Sequence, residues 1–244
     1  MPYTTRPPTG PSPAPPGQSP PLIIQPHPGP TSDARIRLEL RTQFFTNRGF
    51  AVVDVDYRGS TGYGRAFRTQ LDGRWGILDV CDCVDVAAFL IERGDADPGR
   101  TVISGASAGG FTALRALATT DRFAAGVSWF GITDLAAFRA YVPRFQRHHT
   151  DRLVGPWPDA APTYQERSPL HHADRITRPV LVIQGRCDDV VAPEQADRLI
   201  RALRGHGAPV AELTFPDEGH GFRHAGNLQR ALEAELTFYL QGGP

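Results

Sequence analysis

Thr101-Val102-Ile103-Ser104-Gly105-Ala106-Ser107-Ala108-Gly109-Gly110-Phe111-Thr112-Ala113-Leu114-Arg115-Ala116-Leu117 is the stretch that decides the fold. Its first four residues form a short β-branched run that reads as a buried strand, and its last seven read as a helix. Between them a serine sits among glycines and alanines in the pattern G-x-S-x-G, the signature of a sharp strand-to-helix turn that exposes a nucleophile. So tight a turn requires flanking positions nearly free of side chains. It lifts the hydroxyl above the sheet edge, next to helix N-terminal N–H groups that can stabilise an oxyanion.

Outward from this point, strand-like and helix-like stretches alternate. Apolar runs occur at Leu22–Ile24, Phe50–Asp56, Ala125–Phe130, Pro179–Gln184 and Val210–Phe215. Runs of this kind separated by helices predict an α/β protein with a mostly parallel central sheet and helices on both faces. Ile77, Val80, Val84, Ala87, Ala88 and Ile91 fall on one helical stripe, and Asp79, Asp82 and Asp85 fall on the other side, read as a solvated face. Leu199, Ile200 and Leu203 form a stripe behind Pro193, and Leu228, Leu232, Leu236 and Tyr239 form the last. Residues 34–45 fit either period. The possible caps Thr31-Ser32-Asp33 favour a helix there, with Ile36, Leu40 and Phe44 on one side.

The first 30 residues hold 12 of the 23 prolines. Residues 1–20 therefore read as a disordered or polyproline-like lead-in, with the globular part running over 21–244. Lys plus Arg equals Asp plus Glu at 26 each, which leaves no electrostatic footprint for nucleic acid. No apolar run approaches the roughly 20 residues of a membrane span, and no basic-then-apolar leader opens the chain. Cys81, Cys83 and Cys187 give no disulfide framework, so a reduced, cytoplasmic setting is expected. The pairs His148-His149 and His171-His172 lack ligand spacing, and no metal or cofactor is expected. Gly59-Ser60-Thr61-Gly62-Tyr63-Gly64 fits no phosphate-cradle pattern and reads as a glycine-rich connection.

A serine hydroxyl needs a base, and that base needs a carboxylate to orient it. In the chain order Ser, acid, His, the candidates are Ser107, Asp188 and His220. Asp188 follows the run Val180–Gly185, at the strand end where open parallel sheets carry their sites. His220 lies between glycines in Glu218-Gly219-His220-Gly221-Phe222, just past the last strand. Asp189 competes with Asp188, and spacing alone does not choose between them.

These residues together resemble the catalytic domain of the prolyl oligopeptidase family of serine peptidases, in particular its acylaminoacyl-peptidase and dipeptidyl-aminopeptidase-like branch. The resemblance runs from Pro21 to Tyr239. It is most specific in Gly49–Gly64, whose core is Tyr57-Arg58-Gly59-Ser60-Thr61-Gly62-Tyr63-Gly64, then in Gly105–Gly110, Gly185–Val191 and Gly219–Phe222.

The resemblance implies an α/β-hydrolase fold with its first strands missing, and it chooses Asp188, with Val191 three positions on. It also implies an oxyanion hole formed by the N–H groups of Gly29 and Ala108. The family's His-Gly-Gly-Pro motif here reads His27-Pro28-Gly29-Pro30, so one glycine has become a proline that has no N–H. Loss of one such donor lowers kcat by about 10²–10³. Trp129 and Phe130, at the end of the run Ala125–Phe130, are candidate walls of the side-chain pocket, with core packing as the equal or better reading.

Family members carry a β-propeller before the hydrolase domain, and none precedes it in this sequence. The strand at 50–56 is then expected at an open sheet edge, offered to a second copy or to a separate propeller chain. The implied activity is hydrolysis of short peptides through an acyl-enzyme. The alternatives are a carboxylesterase with the same triad and an inactive remnant.

Overall fold

The computed structural model describes residues 2–11, 17–35 and 37–242. Among them seven strands form one sheet in the order β1-β3-β2-β4-β5-β6-β7. The strands are β1 (Tyr3–Arg6), β2 (Leu22–Pro26), β3 (Ala51–Val55), β4 (Thr101–Ala106), β5 (Gly126–Trp129), β6 (Val180–Gly185) and β7 (Val210–Phe215). Pairing is parallel from β3 through β2, β4, β5 and β6 to β7. β1 runs the other way, with Tyr3 opposite Val55 and Arg6 opposite Val52. The helices are α1 (Leu40–Thr46), α2 (Arg65–Arg68), α3 (Leu78–Glu92), α4 (Ala108–Thr119), α5 (Leu135–Tyr141), α6 (Arg144–Val154), α7 (Ala161–Arg167), α8 (Pro193–Gly205) and α9 (Ala225–Leu240).

Strand side chains alternate between two cores. Leu22, Ile24, Val53, Ile103, Val180 and Val182 enter one, against α3, α4 and α8. Ile23, Val52, Val102, Leu181 and Ile183 enter the other, against α1 and α9. Each such fully buried side chain contributes about 1.5–3 kcal/mol. Because both faces are covered, the runs are continuous rather than alternating in sequence. This is the α/β-hydrolase architecture that the run pattern and the resemblance imply.

The N-terminal segment departs from its reading as a disordered lead-in. Tyr3–Arg6 is free of proline and rich in β-formers, and it adds to the sheet. Tyr3 packs edge-on against Phe89, Arg6 pairs with Asp54, and Thr9 and Gly10 donate to the Thr46 carbonyl. The expected open edge at 50–56 is therefore covered by β1, which removes the surface expected to pair there with another chain. Residues 12–16 lie outside the described residues.

The helix expected over 34–45 forms only from Leu40 to Thr46. Its proposed caps are engaged elsewhere: Asp33 accepts from Thr61 Oγ1 and the Ser32 carbonyl from Thr61 N. Leu40, assigned to the packed face, is exposed, and Ile36 lies outside the described residues. Of the acidic side of α3, only Asp85 is solvated as expected. Asp79 and Asp82 are fully buried, because Asp79 accepts from Gly76 N and Thr112 Oγ1, and Asp82 receives Arg58. Ile77, assigned to the apolar stripe, is exposed instead.

Candidate active site

β4 delivers Ser107 to the sheet edge, and α4 begins at the next residue. Ser107 has φ 54° and ψ −118°, a strained conformation that marks a functional turn. The flanking glycines are required by close approach. A Cβ on Gly105 would lie 2.3 Å from the Gly109 carbonyl carbon, and one on Gly109 would lie 2.2 Å from the Pro26 carbonyl oxygen. The nucleophile turn thus rests directly on the end of β2.

The three residues chosen from sequence meet at this edge. His220 Nε2 lies 2.9 Å from Ser107 Oγ. Its Nδ1 lies 2.9 and 3.1 Å from the two carboxylate oxygens of Asp188. Asp188 is buried and also accepts from Val190 N, Val191 N and Gln184 Nε2. Burial pushes its carboxyl up, but the bonds from His220 and the two backbone N–H groups outweigh that and hold it below the usual value. Asp189 is exposed and not part of the line. A hydroxyl, imidazole and carboxylate in such a line can pass a proton from the hydroxyl to the ring as a carbon is attacked.

Glu218, quoted but not singled out in the sequence, fixes the His220 loop. It is buried and accepts from Arg223 N, His224 N and Asn227 Nδ2. Burial opposes its charge, and these hydrogen bonds overcome that and hold its carboxyl at about 2. The signal for it was an acid two residues before a histidine in a turn that has many backbone donors to satisfy.

Gly29 lines the cleft beside Ser107, with φ 140°. Ala108 is the first residue of α4, so its N–H is among those that a helix leaves without an internal partner. The loop carrying Gly29 is braced by the string read as a glycine-rich connection. Tyr57 stacks on His27 with ring centroids 4.2 Å apart, and its hydroxyl lies 3.1 and 3.2 Å from the His27 and Pro30 carbonyls. The Ser60 hydroxyl lies 2.6 Å from His27 Nε2. Asp56 adds a further tie, accepting from Ala34 N and from the Tyr63 hydroxyl. Burial lowers the pKa of His27. Tyr57–Gly64 is therefore structural support for the loop that carries Gly29.

The cleft encloses about 710 Å³. Phe130 lines it, with φ 40°, and meets the His220 ring edge-on at 4.9 Å. Trp129, the other expected pocket wall, does not line the cleft and is core: it packs on Phe222, and its Nε1 donates to Glu235. Glu235 is fully buried and also receives Arg41, Ser104 and the Tyr239 hydroxyl. Arg41 Nη1 continues to the Gln25 side-chain oxygen, and the Gln25 amide donates to Asp54, which pairs with Arg6. Gly105 and Ser107 stand above this network.

The rest of the cleft wall comes from elements that sequence reading did not connect to the site: Trp75, Ile132, and Gln146, His149, Thr150 and Leu153 of α6. Among the described residues no three His, Cys, Asp or Glu side chains converge as metal ligands. His149 faces Thr31 Oγ1 and His172 the Glu166 carbonyl. No helix of the described residues is long and apolar enough to cross a membrane.

Comparison with known proteins extends this geometry. Residues 36–242 match the model of the prolyl oligopeptidase family. The chain is 34% identical over 226 residues to dipeptidyl aminopeptidase BIII of Pseudoxanthomonas mexicana, covering 90% of this chain and 33% of that protein. It is 31% identical over 217 residues to an acylamino-acid-releasing enzyme of Arabidopsis thaliana, covering 84% of this chain and 28% of that one. Among solved structures, a puromycin-hydrolyzing peptidase of Mycobacterium tuberculosis superposes with a TM-score of 0.95 at 47% identity, over 98% of this chain and 37% of that one. An acylaminoacyl peptidase in complex with Z-Gly-Gly-Phe-chloromethyl ketone superposes with a TM-score of 0.87 at 26% identity, over 97% of this chain and 38% of that one. The chain thus spans about a third of the length of the relatives it matches.

Proposed function

The chain belongs to the prolyl oligopeptidase family, and we propose that it is a serine peptidase that hydrolyses short peptides through Ser107, His220 and Asp188. The observation that carries this reading is the continuous hydrogen-bonded line of these three side chains at the mouth of an apolar cleft. Ser107 Oγ attacks the scissile carbonyl carbon as its proton passes to His220 Nε2. Asp188 holds the Nδ1–H tautomer and stabilises the imidazolium. The N–H groups of Gly29 and Ala108 receive the developing oxyanion, a term worth about 3–4 kcal/mol per donor. His220 then protonates the leaving amine, and water, activated by the same ring, frees the acyl group.

The relatives support short, amide-linked substrates. Two are named as dipeptidyl or acylamino-acid-releasing enzymes, one solved neighbour is named for hydrolysing puromycin, and another is bound to a peptidyl chloromethyl ketone. The braced loop that keeps Gly29 in the cleft despite Pro28 favours an active site over an inactive remnant.

The test is labelling by an active-site-directed fluorophosphonate. Wild type is expected to label and Ser107→Ala not to. Folded wild type that does not label overturns the reading. Comparing turnover of a peptidyl anilide with that of a matched ester separates the peptidase from the carboxylesterase.

A further inference from the structure

We propose that His149 is a positioning residue for the oxyanion donor: by holding the Thr31 side chain it fixes the loop that presents the Gly29 N–H. The inference rests on the hydrolase reading above, in which that N–H receives the developing negative charge.

Thr31 Oγ1 lies 3.0 Å from His149 Nε2, across 118 residues of sequence. The bond joins two walls of the cleft, which Gly29 and Ser32 line from the loop and His149 and Thr150 line from α6. Among the described residues, every other hydrogen bond that ties residues 27–34 to a distant part of the chain goes to Asp56, Tyr57, Ser60 or Thr61. The loop is thus braced by one segment of the chain, and the His149 bond is its one tie to α6. That helix is a firm anchor. Asp151 accepts from Arg139 Nη2 and the Tyr164 hydroxyl, the Arg152 carbonyl from Gly73 N, and the Leu153 carbonyl from Trp75 N. His149 stands just before these ties, on the part of the helix that is fixed to the body.

The bond joins two neutral groups. Burial and the Arg152 guanidinium push the His149 pKa down, against Asp72, so the ring is uncharged at neutral pH. Its Nε2 then either accepts from the Thr31 hydroxyl or donates to it, and a hydroxyl suits both. Only Pro30, with its fixed φ, separates Thr31 from Gly29. Gly29 packs against the same residue, since a Cβ there would lie 3.0 Å from Thr31 N. A shift of Thr31 is therefore passed to Gly29. An oxyanion donor works only when its N–H is aimed at the place the charged oxygen will occupy, so lost aim costs rate rather than substrate binding. Thr31 does not itself line the cleft, so removing its hydroxyl leaves the surface that substrate touches as it was.

The experiment measures kcat and KM of a peptidyl p-nitroanilide, per folded molecule, for wild type, Thr31→Val, Thr31→Ser, His149→Ala and the double variant Thr31→Val/His149→Ala. Thr31→Val keeps the side-chain shape without the hydroxyl. It is expected to lower kcat about tenfold with KM within about twofold, a part of the roughly 10²–10³ that loss of a whole donor costs. Thr31→Ser restores the hydroxyl and is expected to stay within about threefold of wild-type kcat. In the double variant the second change is expected to add less than about twofold in kcat, because both cut the same bond. Unchanged kcat in Thr31→Val, a loss confined to KM, or kcat losses that multiply in the double variant overturn the proposal, and fluorophosphonate labelling of wild type then leaves the hydrolase reading standing. Folded wild type that neither labels nor cleaves overturns both. Where wild type labels but leaves the anilide uncut, labelling rates carry the same comparison. Should Thr31→Val not fold, His149→Gln takes its place: its amide can still meet Thr31, so it is expected to recover the kcat that His149→Ala loses, and an equal loss in both overturns the proposal.

Discussion

Two carboxylates lie on either side of the nucleophile strand, and each ends a line of hydrogen bonds. Asp188 ends the one that runs through His220 to Ser107, which opens on the cleft. Glu235, itself fully buried, ends the other, which joins Arg41, Ser104, Trp129 and Tyr239. Asp188 is held by two backbone N–H groups, the Gln184 amide and one imidazole, with no guanidinium or ammonium among them, so its line keeps a proton that can move. Glu235 is met by a guanidinium and three further side-chain donors, so its charge is fully matched in place. On the proposed function the first arrangement serves chemistry, while the second ties α1, β4, β5 and α9 together, although both begin from a buried acid.

Breaking Asp188 should act on rate. Asp188→Asn is expected to lower kcat by about 10⁴ through the wrong imidazole tautomer, with little change in the urea midpoint. A loss of stability with kcat per folded molecule unchanged contradicts the contrast. Breaking Glu235 should do the reverse. Glu235→Ala leaves the Arg41 charge without its partner and is expected to lose about 3–5 kcal/mol in urea unfolding, while folded molecules still label at Ser107. Labelling lost at full stability would merge the two lines into one.

Asp79 sharpens the comparison as a buried acid with no cation in hydrogen-bond contact. Burial pushes its carboxyl up to about 6, against the bonds from Thr112 and Gly76. A native pKa above the unfolded value means that the folded state binds more protons between about pH 4 and 6. This group's contribution therefore falls as pH rises, by up to about 3 kcal/mol at neutral pH. Thermal melts of wild type and Asp79→Asn should diverge between pH 4 and 7, with the variant gaining relative to wild type as pH rises. Parallel curves refute it. The smallest effect is expected at Glu218, which positions the His220 loop. Glu218→Gln should lower kcat about tenfold with KM little changed. An unchanged kcat would mean that the loop holds itself.

The catalytic line was legible because each of its members follows a strand and carries a local mark. Ser107 lies in G-x-S-x-G, the pair Asp188-Asp189 follows a strand-end glycine with the family resemblance choosing Asp188, and His220 stands between glycines. The Glu235 line was not. Its partners Arg41, Ser104 and Trp129 lie 194, 131 and 106 residues away, and nothing near Glu235 separates it from the exposed Glu233 two residues before. β1 was missed for the same reason, since its stability comes from pairing with Val52–Val55 rather than from its own proline-rich neighbourhood. Trp129 and Phe130 were read alike and share one core with Phe222, yet only Phe130, just past the end of β5 with φ 40°, also lines the cleft. The α6 wall escaped because a helix with mostly polar residues shows its cleft-facing stripe only after α6 is docked.

With no room for even a methyl group between Gly109 and the Pro26 oxygen, the Ser107 turn and the strand end that leads to Gly29 are packed as one unit. Substitutions along α6 fall on the lining of the cleft rather than on that contact. The wall can therefore change by drift while the Ser107 turn stays as it is.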